Sequence, residues 1–309
     1  MLYYRGRATT QYAVSMNSPY PSSLPALPRA SAWPLLRALF KRPARVSAGL
    51  IQASYRLDRI DIGHVRRYSN AFGFPPGPVP LTYLYLLAQR AQLATMLDRA
   101  IPFRIVGLIH VANELAMHCA IRPELSLTMT TTLSMPEPEA NGAVECVLET
   151  LATNGEQTVF TCTSRYLIKR GRRAERAIAS PLAMPIDGIA GQWVVEGNAG
   201  RRYAALSGDW NPIHLWQWSA RLMGMRQPVI HGMHTIAMVC ALHQRTCQVA
   251  ATAVNCRFRR AVPLGASVSL SIGLEAGTFA VINGQRAAVD GNIVMAKHAA
   301  ADDCCIAST

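Results

Sequence analysis

The stretch RRYAALSGDWNPIH, residues 201–214, decides how the chain is expected to fold. Its first three letters also occur at residues 66–68, and in both places a glycine follows the tyrosine by five residues, as Gly73 and Gly208. The two copies are offset by 135 residues. Recurrence in this form is the sequence signature of a repeated structural unit. Because the match is short, it needs further landmarks in the same order to exclude chance.

A second pair of landmarks lies downstream of the first. A Pro-Val pair at 78–79 precedes an apolar, helix-like run over 81–97, and a Pro-Val pair at 228–229 precedes another over 232–242. This offset is 150, so the second half carries 15 additional residues between the two landmarks. A helix that is apolar on most faces is a buried helix. Each half is therefore predicted to contain one buried central helix.

Several strand-like segments follow each central helix, bounded by turns that contain Gly, Pro and Asn. In the first half they span residues 105–121, 126–134, 143–151 and 158–169, and in the second half residues 249–261, 266–274, 278–282 and 292–297. One long helix followed by antiparallel strands, twice over, predicts an α+β fold. Two antiparallel sheets would each wrap a central helix and would pair with each other edge to edge.

The chain divides into four parts by composition. Residues 1–45 are rich in proline and arginine, and no acidic residue precedes Asp58, which predicts a flexible basic arm. An organelle transit peptide and a partly untranslated segment, with Met16 as the start, both remain open for it. A charge run followed by Pro and Gly predicts a linker over 171–191. The two folded units would then be residues 46–170 and 192–309.

Composition limits the classes of protein to which the chain can belong. Of its 309 residues, 50% are hydrophobic and 16% are charged, which excludes a disordered or fibrous chain. The net charge of +13 fits nucleic acid, a phosphorylated cofactor such as coenzyme A, an acidic carrier protein, or simply a solvated surface. No nucleic-acid-binding module is recognised, so nucleic acid is not expected as a partner.

Cysteine usage and hydropathy point to the compartment. Eight cysteines are scattered with no Cys-x-x-Cys pair, so neither zinc spacing nor a disulfide scaffold is indicated. No apolar run approaches the roughly 18 residues that a membrane span needs. A reducing compartment is the simplest interpretation, and a cytoplasmic protein without a membrane span is expected.

The additional segment of the second half carries residues that can do chemistry. Asp209 and His214 are five residues apart with Pro212 between them, and Pro212 disfavours helical backbone at Asn211. The segment is predicted to be a loop, entered from a helix that ends near Leu206. Such a loop can turn the carboxylate and the imidazole toward one water as an acid/base pair, with Asn211 bonding the loop or a substrate amide. Ordinary turn and capping chemistry is the alternative.

The sequence His231-Gly232-Met233 begins the second central helix. Amides in the first turn of a helix have no internal partner and carry partial positive charge. Because Gly232 has no side chain, a ligand oxygen can approach its N–H closely, as in an oxyanion site. A plain helix cap is the alternative for Gly232, and a structural or pocket-lining role is the expectation for His231.

These motifs resemble a known family. Residues 203–214 with Ala220, the PVIHGM stretch at 228–233 and the FRRAVPLG stretch at 258–265 are similar, in order and spacing, to the MaoC-like (R)-specific enoyl-CoA hydratases, also called hydratase 2, which have the hot-dog fold. The similarity spans residues 192–298. The first half resembles the degenerate partner domain of double hot-dog members.

The resemblance implies roles for particular residues. Asp209 and His214 would act together on water, and the Gly232 amide would bind the thioester oxygen as the oxyanion site. Asn211, His231 and Cys240 would contact substrate; some members of the family have a serine where this chain has Cys240. The first half lacks the Asp…His loop, so one active site per chain is implied, with no metal and no cofactor.

The expected function is that of a hydro-lyase. It would hydrate trans-2-enoyl thioesters or dehydrate (R)-3-hydroxyacyl thioesters that are carried on coenzyme A or an acyl carrier protein, with Arg257 or Arg259 meeting phosphates and medium or longer acyl chains preferred. A non-catalytic acyl-thioester-binding subunit and a hot-dog thioesterase are the alternatives. Either a monomer or a homodimer is compatible with two units in one chain.

Overall fold

The computed structural model describes residues 24–31, 37–38, 41–44, 50–138, 142–169, 190–273 and 277–296. Five α-helices lie in these ranges: α1 Ile62–Phe72, α2 Leu81–Met96, α3 Ala199–Ser207, α4 Gln217–Leu222 and α5 Gly232–Cys247. The strands of the first half are β1 Ile51–Leu57, β2 Ile109–Met117, β3 Leu127–Ser134, β4 Val144–Asn154 and β5 Gln157–Lys169. Those of the second half are β6 Gly191–Val194, β7 Ala251–Phe258, β8 Ser267–Gly273, β9 Thr278–Asn283 and β10 Arg286–Met295.

All ten strands join one antiparallel sheet in the order β1-β3-β4-β5-β2-β7-β10-β9-β8-β6. The order within the second half is that of the first half reversed, so the two five-stranded units meet through β2 and β7. Ala112 pairs with Arg257 and Ala116 with Ala253 at this seam. The predicted α+β repeat with edge-to-edge pairing is confirmed.

The two long helices, α2 and α5, occupy the concave side of their own sheets. Helix α2 packs against all five strands of the first half and also contacts α5. Its side chains from Leu81 to Ala88 are all buried, which explains its almost uniformly apolar sequence. One hydrophobic core runs through both halves and includes residues of both helices.

Two strands were not anticipated from the sequence, and others have different bounds. Strand β1 has a single buried residue, Tyr55, and β6 has none, so neither shows a clear apolar alternation. Residues 105–108 precede β2 as a turn rather than belonging to it, and β10 begins at Arg286 instead of residue 292. Gly191, the predicted end of the linker, already lies in β6. Residues 171–189 of that linker lie outside the described residues.

Part of the predicted N-terminal arm is described. Ala26 forms a parallel bridge with Arg56, the side chain of Leu27 is buried, and the Arg90 guanidinium donates to the Pro28 carbonyl. This short segment therefore packs on the first half. Residues 1–23, 32–36, 39–40 and 45–49 lie outside the described residues.

Within the described ranges, no helix is long and apolar enough to cross a membrane. The six cysteines that these ranges contain are all free thiols.

Candidate active site

The loop between α3 and α5 brings the site together. Helix α3 ends at Gly208, which adopts the left-handed conformation (φ 79°), and the chain then turns away at Asp209. The Ser207 hydroxyl accepts a hydrogen bond from the Asp209 N–H at 3.1 Å. A short 3-10 turn, Pro212–His214, follows, and the Asn211 side chain accepts from the Ile213 N–H at its start. The loop predicted between a helix and His214 is present.

A glycine in α3 allows this turn to lie directly on the helix. A Cβ atom added at Gly200 would overlap the carbonyl oxygen of His214. The contact between α3 and the 3-10 turn is therefore backbone to backbone, and it requires a residue without a side chain. This contact fixes the position of His214 in the cavity wall.

The structure brings Asp209 and His214 together. The side-chain ligand atoms of Asp209, His214 and His231 all lie within 4.8 Å of one another. All three residues line one cavity of about 310 Å³. At that separation a single water can donate hydrogen bonds to both the carboxylate and an imidazole nitrogen.

The hydrogen bonds of His214 fix its tautomer. Its Nδ1 lies 2.8 Å from the Val229 carbonyl oxygen and must donate to it, which leaves the Nε2 lone pair as an acceptor. Burial lowers the pKa of His214, and the negative charge of Asp209 opposes that shift in part. The ring is thereby kept neutral near pH 7 and able to take a proton.

His231 supports the loop from the start of α5. Its Nε2 donates to the main-chain oxygen of Asp209 at 2.9 Å, and its ring stacks on that of His214 with centroids 3.6 Å apart. Burial lowers the pKa of His231 well below its usual value. A carboxylate and two imidazole nitrogens at this spacing are also a set of groups that could hold a metal ion.

Gly232 is the first residue of α5 and lines the same cavity. A Cβ atom there would lie 2.5 Å from Cε1 of Phe258, so glycine lets that ring close on the helix. His231 gives the helix no side-chain cap. The Gly232 N–H at the start of the helix thus remains available to an anionic oxygen in the cavity.

The remaining predicted contacts divide into two groups. Asn211 lines the cavity, as does Arg259, although Arg259 is engaged by the Asp290 carboxylate at 2.6 and 3.1 Å. Cys240 is buried in the core and does not line the cavity, and burial raises its pKa to about 12. Arg257 is exposed on β7 and is also not part of the lining.

The first half supplies part of the cavity wall, which the sequence did not reveal. Tyr85 and Gln89 of α2 line it, as do His110 and Tyr166 of the neighbouring strands. The His110 ring lies between aromatic neighbours, 4.6 Å from Tyr166 and 5.9 Å from Tyr85 by centroid. Burial lowers the pKa of His110 to about 3, so its ring is neutral.

Comparisons with known proteins find a matching family model and a curated relative. Residues 182–288 match the family model described as the MaoC like domain; the match begins inside the predicted linker. The chain is 25% identical over 184 residues to 3-hydroxyacyl-thioester dehydratase X of Mycobacterium tuberculosis. That alignment covers 59% of this chain and 66% of the relative, just under two thirds of its length.

Solved structures show the same fold at low identity. HtdX of Mycobacterium tuberculosis superposes with a TM-score of 0.64 at 22% identity, covering 78% of this chain and 98% of that one. A MaoC-like dehydratase from Phytophthora capsici gives 0.64 at 16% identity, covering 81% and 97%.

A conserved hypothetical protein of Mycobacterium tuberculosis described as having a double hotdog fold gives a TM-score of 0.54 at 12% identity, covering 81% of this chain and 96% of that one. The chain therefore has the double hot-dog fold and carries a MaoC-like domain in its C-terminal half.

Proposed function

We propose that the protein is a hydro-lyase that adds water to trans-2-enoyl thioesters and removes it from (R)-3-hydroxyacyl thioesters. One observation carries the proposal. The Asp209 carboxylate and the His214 imidazole lie within 4.8 Å of each other in a cavity that also contains the start of α5. A general acid/base pair beside backbone donors is the arrangement that reversible hydration next to a thioester carbonyl requires.

The reaction then follows from the hydrogen bonds. Water held between Asp209 and the Nε2 of His214 loses a proton to that pair as its oxygen bonds to C3. The C2=C3 electrons move toward the carbonyl, and the enolate oxygen accepts from the Gly232 N–H. C2 takes a proton from the pair, so no net proton is consumed and the thioester stays intact. Dehydration is the reverse sequence.

The finer assignments rest on the same site. Asn211 and His231 hold the loop and border the substrate, and Arg260, exposed at the cavity, is placed to meet phosphate groups. The acyl group is carried by coenzyme A or by an acyl carrier protein in a reducing, cytoplasmic setting. The dehydratase activity in the name of the Mycobacterium tuberculosis relative supports the reaction class.

The test is a hydration assay with trans-2-enoyl-CoA substrates of increasing chain length. Loss of enone absorbance is expected with the wild-type chain and with D58N, a matched carboxylate change at the exposed Asp58. D209N and H214A should both lose at least about 1,000-fold in kcat/KM, in line with loss of an acid/base group on a bound water.

Two other outcomes would replace the proposal. Release of free thiol without loss of the double bond by hydration would identify a thioesterase. Tight acyl-CoA binding with no turnover at any chain length would identify an acyl-binding subunit. Full activity in both D209N and H214A would show that Asp209 and His214 are not the catalytic residues, although the reaction class would still stand.

A further inference from the structure

We propose that Gln89, in the first half of the chain, is a positioning residue that fixes the orientation of the Asp209 carboxylate. The active site would then be shared between the halves, although only the second half carries the Asp…His loop. The inference rests on the proposed function for its catalytic consequence, but the contact itself can be tested without turnover.

Two donors hold the Asp209 carboxylate, one on each oxygen. Nε2 of Gln89 donates to Oδ2 at 3.0 Å, and the main-chain N–H of Asn211 donates to Oδ1 at 3.2 Å. The bond from Asn211 is local, because Asn211 lies two residues along the same loop and would move together with Asp209. The bond from Gln89 comes from a residue 120 positions away on a rigid helix, so it alone ties the carboxylate to the opposite wall of the cavity.

Gln89 stands out within its own helix. Every residue from Leu81 to Ala88 is buried, and the helix interior otherwise offers mainly apolar side chains. The Oε1 atom of Gln89 is buried with no hydrogen-bond donor among the described residues. Gln89 as a residue is half-buried, and its side-chain hydrogen bond among the described residues is the contact with Asp209.

A second glutamine on the same helix provides the contrast. Gln92, three residues later, is fully buried and lies within hydrogen-bonding distance of Thr150 and Cys162, both in the sheet of the first half. It does not line the cavity. The two glutamines of α2 therefore differ: Gln92 contacts the sheet of the first half, whereas Gln89 contacts the Asp209 carboxylate.

The contact has a chemical consequence. A hydrogen bond donated to a carboxylate favours its charged form and restricts its rotation. Asp209 must be ionised to accept a proton from water and must face the same point as the His214 lone pair. Losing the bond from Gln89 would leave the carboxylate on its local bond alone, free to turn about its side-chain torsion.

The experiment compares Q89L, Q89E and Q92L with the wild-type protein, using kcat, KM and the pH profile of hydration. Q89L should lower kcat about 10- to 100-fold, the effect of losing one hydrogen bond to a charged group, and should change KM less than about threefold. Q92L should alter the unfolding midpoint but leave kcat and its pH profile nearly unchanged. A merely structural role for Gln89 predicts that Q89L behaves as Q92L does.

Q89E supplies the sharper readout because it keeps the shape of the side chain. Two carboxyl groups at hydrogen-bonding distance cannot easily both ionise, so the introduced carboxyl group and Asp209 would share one proton at low pH. In its protonated form the introduced group could still donate to the aspartate. Q89E should therefore approach wild-type kcat at low pH and lose activity as the pH rises. An unchanged pH profile in both Q89L and Q89E would overturn the inference.

A readout independent of turnover separates the inference from the proposed function. In crystal structures, the Asp209 carboxylate should turn away from its wild-type orientation in Q89L and keep that orientation in Q92L. If the wild-type chain hydrates no thioester, the proposed function fails while this comparison still decides the contact. An identical Asp209 orientation in the wild type, Q89L and Q92L would refute it.

Discussion

The two halves of the molecule share one plan and differ in a single connection. Each has a helix that ends at a left-handed glycine, Gly73 or Gly208, and a sixteen-residue central helix inside a five-stranded sheet. Residues 74–80 join the two helices of the first half, whereas residues 209–231 join those of the second. The longer connection contains Asp209, His214 and His231. The loop that carries the proposed catalytic residues is thus an insertion into a scaffold that the chain already possesses twice.

The shorter connection has its own consequence. Because no loop fills the first half's side of the cavity, α2 and its neighbouring strands face the site directly, with Tyr85, Gln89 and His110 in the wall. In the proposed mechanism, the second half supplies the reacting groups and the first half supplies the surface that positions them. We expect the effects of substitutions to follow this division.

The largest effect is expected where the insertion contacts its helix. G200A places a methyl group on the His214 carbonyl oxygen, so the 3-10 turn must move away from α3. Activity should fall at least about 100-fold, since a shift of about 1 Å at a reacting group is enough for such a loss. The free energy of unfolding should fall by about 1–3 kcal/mol, the range for overpacking. Hydration assays measure the loss of activity, and denaturant unfolding measures the free energy of unfolding.

The matched control is Gly63, the second residue of α1 just as Gly200 is the second residue of α3. A Cβ atom there would come no closer than 3.2 Å to Asp61. G63A should alter stability by less than about 1 kcal/mol and leave activity unchanged. Equal losses in G63A and G200A would show that the halves do not differ in the way described.

A smaller effect is expected from acid, and it involves one histidine in each half. Burial lowers the pKa of His110 to about 3 and that of His234 to about 4. In the unfolded chain both histidines would bind a proton with a pKa near 6.5. Burying the neutral rings therefore costs no stability above that pH. Stability is lost as the pH falls from about 6.5 toward the folded values. At about pH 5 each histidine should account for roughly 1–2 kcal/mol of lost stability.

Phenylalanine substitution separates these two contributions. H110F and H234F should each flatten the decline in unfolding free energy between about pH 7 and pH 5, measured by urea titration. His234 lies between Phe72 of the first half and Tyr203 of the second, with ring centroids 5.1 and 5.7 Å away, so an aromatic replacement keeps the packing. Unchanged slopes in both variants would mean that these rings are not held neutral.

The smallest effect is expected at a contact that joins the halves outside the cavity. Arg245, near the end of α5, donates to the carbonyl oxygens of Phe72 and Gly73 at the end of α1. R245A should lower the unfolding free energy by about 1 kcal/mol, because the side chain is partly solvated. Hydration activity should be unchanged. A loss of activity in R245A would indicate that the relative placement of the halves depends on this single contact.

The sequence predicts local features well and contacts between the halves poorly. The central helices and the turn containing Asp209 and His214 have short-range signals: apolar runs, a Gly after each first helix and Pro212 in the loop. Strands β1 and β6 were missed because they lie at the edges and bury almost nothing.

No short-range sequence signal predicted the contact that Gln89 makes. Its partner Asp209 lies 120 residues away, and spacing within either half says nothing about which residues face each other across the shared cavity. The one indication in the sequence was that Gln89 is an uncharged polar residue in a mostly apolar helix. Cys240 shows the converse: a position taken from the resemblance lies in the core and not at the cavity.

The most direct measurement is a double-mutant cycle on the Asp209–His214 pair, with hydration kcat/KM measured for D209N, H214A and the combined variant. If the two side chains act on one water, each single change removes most of the catalysis, and the double variant is no slower than the slower single one. Losses that multiply in the double variant would mean that the carboxylate and the imidazole act at separate steps, and the shared-water account would be wrong.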